Sequence, residues 1–126
     1  MKIIEIYLWA NAFIYVLFAL WCTIKKEQTS FASGFTKLSK SGWSEYLVIY
    51  GGLQLGLAFF FAYLALHVEL YQVGAIFAML LYMPILIYRI ITIYHFRPVK
   101  RTTLAIGLME IILLAGAIAS FTLQAQ

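Results

Sequence analysis

The chain has 126 residues, of which 64% are hydrophobic and 17% aromatic, while only 11% are charged and the formal net charge is +4. Soluble globular domains carry about a quarter charged residues, so this composition excludes a water-soluble fold and indicates an integral membrane protein. The basic excess does not indicate a nucleic-acid partner, because the cations sit at helix ends and in short loops, where a lipid bilayer accounts for them.

Apolar windows occur at about 3–24, 45–67, 71–95 and 103–124, each near the ~20 residues needed to cross a ~30 Å hydrocarbon core. The expected fold is an all-α integral membrane domain over 1–126, a four-transmembrane-helix antiparallel bundle. Lys25, Lys26, Lys37 and Lys40 occupy one loop and Arg97, Lys100 and Arg101 another, whereas the opposite side carries only Lys2. The positive-inside rule makes both basic loops cytoplasmic and puts both termini outside.

The first window is too long for a signal-peptide core, and no small-x-small cleavage site follows it, so it is read as a retained span. It holds Glu5 near its outer end and Asn11 about halfway in. The loop at 25–43 places Phe31, Phe35 and Leu38 at helical spacing beside Lys37 and Lys40, the pattern of a short helix at about 30–40 lying on the membrane surface. The single cysteine, Cys22, excludes an internal disulfide.

Span two opens with Ser44-Glu45, read as a helix cap with an acid in the first turn. At 100° per residue Glu45, Gly52, Gly56 and Tyr63 fall on one stripe and Tyr50, Gly51, Gln54 and Ala58 on another. Gly52 and Gly56 permit close helix packing, and Gln54 needs a partner on another helix, with Asn11 as the candidate for a shared polar layer. Span three contains Pro84, which leaves the Leu80 carbonyl without its usual amide partner and predicts a kink. Span four carries the small residues Gly107, Ala115, Gly116, Ala117, Ala119 and Ser120 around Glu110.

Arg89 stands inside an apolar run, at a cost on the order of 2.5–3.5 kcal/mol at a helix centre. It lies nine residues before Pro98, and Glu110 lies twelve after it, so both sit roughly 8–12 Å inside their helix ends. A connection this short joins antiparallel neighbours, which makes Glu110 the expected counter-ion of Arg89 and Glu45 a possible third member. Tyr82 shares a helix face with Arg89 and is a further candidate for the same pocket. Such a pair either staples spans three and four together or lines a polar ligand pocket. His67 and His95 lie at opposite membrane surfaces, and no metal-ligand spacing or phosphate-cradling loop occurs, so neither a metal site nor a cofactor is expected.

Glu45-Tyr46, then Tyr50-Gly51-Gly52-Leu53-Gln54-Leu55-Gly56, with Arg89 and Glu110 in the later spans, resemble a family of small four-helix bacterial inner-membrane proteins of unknown function. That family often carries an arginine after the acid–aromatic pair, where this chain has Leu47, which puts a two-arginine site in doubt. The layout is distantly similar to the DoxX-like group, which includes subunits associated with quinone-linked oxidoreductases, and implies a compact bundle working with a partner. The expected role is a non-enzymatic accessory or scaffold subunit, alone or in a homo-oligomer. The alternative is a binder or carrier of a lipid or quinone. An enzyme using Glu110 as acid or base is disfavoured by the adjacent arginine.

Overall fold

The lengths of the apolar runs decide the architecture. A computed structural model describes residues 2–126 and contains five helices: α1 (Ile3–Ile24), α2 (Lys26–Ala32), α3 (Lys40–Leu66), α4 (Val68–Phe96) and α5 (Arg101–Gln124). No strand occurs among the described residues. Apart from the short α2, the helices have 22 to 29 residues, roughly 33–44 Å, enough to cross a ~30 Å core with some tilt.

Their outer faces carry large apolar side chains, with Phe13, Phe59, Leu80 and Tyr88 each at least 67% exposed. A girdle of this extent is untenable in water, whereas lipid solvates it and every helix satisfies its own backbone. The fold is therefore an all-α, four-helix membrane bundle. Helix α1 packs most extensively against α3, and α4 against α5, so the bundle is two helix pairs laid side by side.

The tightly packed core occupies the half nearest the chain termini. Ile4, Leu8 and Ala12 of α1 meet Phe61, Leu64 and Ala65 of α3, Ala75 and Ala78 of α4, and Leu113 and Ala117 of α5. Two glycines make this approach possible. A Cβ on Gly74 would lie 2.8 Å from Leu8 Cδ2, and one on Gly116 would lie 2.8 Å from Tyr7 Cε2. The expected packing pair, Gly52 and Gly56, is not used inside the bundle. Both are exposed, and nothing lies within 4 Å of a Cβ at either position. Gly51 faces inward instead, where a Cβ would lie 2.9 Å from Thr23 Oγ1.

The basic loop corrects the sequence expectation of a surface helix at 30–40. The helix forms earlier, as α2, and Gly34 ends it at φ +101°. Phe35 N donates to Ser30 O and Gly34 N to Phe31 O, each at 3.0 Å. Those two bonds make a Schellman motif, which requires the left-handed conformation that glycine adopts without penalty. Phe31 and Phe35 are thereby separated onto a helix and the non-helical segment that follows it. Ser39 then caps α3 by accepting from Gly42 N at 3.0 Å. The second span consequently starts at Lys40, and Ser44-Glu45 lies within the helix.

Helix α3 contains a six-residue π segment, Val48–Leu53. The wider turn carries Tyr50, Gly51 and Gly52, and π segments of this kind are concentrated at functional sites. Helix α4 continues as helix through Pro84. Helix α2 is tied down on two sides: the Tyr46 hydroxyl donates to Thr29 Oγ1 at 2.7 Å, and Lys100 Nζ donates to Phe31 O at 2.7 Å.

Candidate functional site

Helices α4 and α5 run antiparallel across a short connection, which brings Arg89 and Glu110 to equal depth. Arg89 Nε donates to Glu110 Oε2 at 3.0 Å, and Nη2 donates to Oε1 at 2.6 Å. This two-point contact is the strong geometry for a guanidinium and a carboxylate. The Glu110 side chain is 9% exposed and that of Arg89 28%, so the acid is buried while the base is partly open. Gly107, one turn before Glu110, leaves space for the arginine stem: a Cβ there would lie 3.4 Å from Arg89 Cγ.

The pair forms one wall of a cavity of about 200 Å³ between the helices. Ile14, Tyr15 and Phe18 of α1, Tyr50 and Gln54 of α3, Tyr82 and Ile85 of α4, and Met109 and Leu113 of α5 complete most of its lining. Polar groups from four helices thus converge on an otherwise apolar space, the usual composition of a ligand pocket. No protein acceptor among the described residues takes the Arg89 Nη1 hydrogens. The arginine therefore retains donors after its charge has been compensated.

Tyr82 joins the site as its helix face requires, but its hydroxyl points to the cavity floor and donates to Asn11 Oδ1. Asn11 Nδ2 in turn donates to Tyr7 O at 2.9 Å, and the Tyr7 hydroxyl donates to Leu113 O at 2.7 Å. Among the described residues no buried side-chain polar atom lacks a partner, so this network is a satisfied layer that closes the site toward the core.

Two expectations are corrected. Asn11 and Gln54 do not form a shared layer: Asn11 pairs with Tyr82, while the Gln54 amide reaches only Ile49 O, at 3.5 Å, and lines the cavity. Glu45 is not a third member of the charged group. It is exposed on α3, outside the cavity lining, and Arg89 is paired to Glu110 alone among the described residues. Tyr15, Tyr50 and Phe18 are site residues that the sequence pattern does not single out. The signal for α1 was present, because Asn11, Tyr15 and Phe18 recur at helical spacing on one face, and Tyr50 shared the inner stripe with Gln54.

A second cavity, of about 430 Å³, adjoins the first. It lies between α1 and α5 beneath α2, lined by Trp21, Cys22, Thr29, Ala32, Thr102 and Ala105. Phe18, Ser33, Ile106 and Met109 line both spaces. Among the described residues no group of three His, Cys, Asp or Glu is placed to hold a metal ion. Comparison with protein families, curated proteins and solved structures finds no match to this chain.

Proposed function

We propose that this chain is a small, non-enzymatic protein of the bacterial inner membrane that binds or carries an amphipathic molecule, a lipid or a quinone, by its polar head. The observation that supports this reading is the cavity itself, which brings the charge-compensated Arg89–Glu110 pair together with Tyr50 and Gln54 around an otherwise apolar space. A structural staple alone requires no such space. Both Glu110 oxygens accept from Arg89, which leaves the acid poorly placed for proton transfer to a substrate. Native mass spectrometry of protein gently extracted from its own membranes tests the proposal: a bound small molecule is expected on the wild type and lost from the doubly neutralised variant Arg89→Met with Glu110→Gln. Bare protein in both cases overturns it.

The second reading, an accessory or scaffold subunit, draws support from the exposed Gly52 and Gly56, which offer another helix a close approach. Retained protein subunits, or a second copy, in the same spectra favour it. In either reading the basic loops face the cytoplasm and both termini lie outside. A reporter fused after Gln126 is then active only outside the cytoplasm, and a cytoplasmic signal inverts the topology.

A further inference from the structure

The charge balance and shape of the two adjoining cavities specify the ligand more narrowly. At about 200 Å³ the cavity beside Arg89 is smaller than the roughly 300–1,000 Å³ typical of pockets that enclose a whole small ligand. It accommodates a head, and the remainder of the molecule needs somewhere to go. The space that continues it is the second cavity, of about 430 Å³. Its lining is mostly apolar, and Trp21 and Ala105 on its rim are exposed, so it opens between α1 and α5 on the lipid-facing side. A chain already dissolved in the bilayer enters such a groove without crossing water.

The head's charge follows from its neighbours. The Arg89 charge is compensated by Glu110 at 2.6 Å, so an anion entering there meets a carboxylate as well as a guanidinium, and in a low-dielectric site that repulsion is poorly screened. Lys100, at the roof, is committed to the Phe31 carbonyl and sits 4.0 Å from the centre of that ring. What the lining offers besides that compensated charge is hydrogen bonding, from the Arg89 guanidinium and from Tyr15, Ser33, Tyr50, Gln54 and Thr103. An uncharged carbonyl or ester oxygen suits those donors.

Resting on the ligand-binding reading above, we propose that the occupant is an uncharged, carbonyl-bearing amphipath with a single apolar chain. Its head lies against Arg89, and its chain lies in the groove between α1 and α5, beneath α2. A substituted quinone and a monoacylglycerol share this chemistry.

Cys22 supplies the test, because it is the sole cysteine, is 4% exposed and lines the groove. Purified protein in nonionic detergent is alkylated with N-ethylmaleimide and followed by intact mass. Three probes are compared: a fully substituted benzoquinone bearing a decyl chain, monodecanoylglycerol, and decyl phosphate. At least one uncharged probe is expected to form an adduct in native spectra and to slow Cys22 alkylation about tenfold, a difference of ~1.4 kcal/mol in occupancy. Decyl phosphate is expected to do neither. Whichever uncharged probe protects identifies the head class. Ala105→Phe, on the exposed rim, is expected to abolish the protection by filling the groove.

An adduct that leaves Cys22 alkylation unchanged overturns the groove assignment alone, and equal protection by decyl phosphate overturns the uncharged head alone. If no probe and no native lipid binds, the ligand-binding reading itself falls. The wild-type arms decide each point even if Ala105→Phe does not fold.

Discussion

Near the chain termini the four spans close on one another through small residues: Gly74 admits Leu8, Gly116 admits Tyr7, and Ala12, Ala75, Ala78 and Ala117 fill the space between them. Near the basic loops the same helices stand apart around Tyr15, Tyr50, Arg89 and Glu110, with a second space beneath α2. The Asn11–Tyr82 hydrogen bond marks the boundary. In lipid no hydrophobic force draws helices together, because acyl chains solvate a leucine as well as another helix does. Close packing and hydrogen bonding must hold the bundle, and this protein divides them: packing dominates one half, and a charged pair beside a largely apolar cavity occupies the other.

The sharpest way to break this comparison is to remove one charge. Glu110→Ala leaves Arg89 unpaired and is expected to cost about 3–5 kcal/mol, read as lost folded yield and a lowered unfolding midpoint in detergent. Exchanging the partners, Arg89→Glu with Glu110→Arg, is expected to recover much of the loss. Strictly additive losses in the exchanged protein would mean that the two side chains do not stabilise each other. Next in size is Gly74→Val in the closed half, where the added atoms overlap Leu8. Overpacking of this kind costs about 1–3 kcal/mol, and a wild-type midpoint would show that the close approach contributes nothing.

Tyr82→Phe removes the donor that satisfies the fully buried Asn11. The expected loss is about 1 kcal/mol, since hydrogen bonds between membrane helices are worth less than their burial suggests. Opening the boundary layer should also increase the reactivity of groups lining the adjacent cavity, and unchanged stability with unchanged reactivity would remove that layer from the account. The smallest effect belongs to Gly56→Val. Nothing lies near its Cβ within the bundle, so stability is expected within about 0.5 kcal/mol of wild type. Loss of a larger assembly in native spectra, with the monomer intact, would identify that face as a protein contact.

The charged pair was legible because connectivity alone constrains it. Spans three and four are joined by a few residues, so Arg89 and Glu110 could be placed at the same depth by counting. No such connection constrains Glu45: Ser39 rather than Ser44 starts its helix, and position near a helix end says nothing about which way a side chain faces. Asn11 found its partner 71 residues away in Tyr82. Several tyrosines on the later spans were available, and nothing local selects that one. The shift of the surface helix from 30–40 to Lys26–Ala32 was foreshadowed by Gly34, whose freedom at positive φ favours stopping a helix over continuing one.

By itself, the sequence determined the solvent, the number of spans and the pairing of Glu110 with Arg89 within them. All three follow from helix length, the cost of charge in hydrocarbon and a short connection. Only the tertiary structure decided that Gly74 and Gly116 close the bundle while Gly52 and Gly56 face outward, and that α1 and α5 stand apart beneath α2. In a chain whose surface is as apolar as its core, hydropathy no longer distinguishes inside from outside, and the direction each helix face points is set by three-dimensional packing.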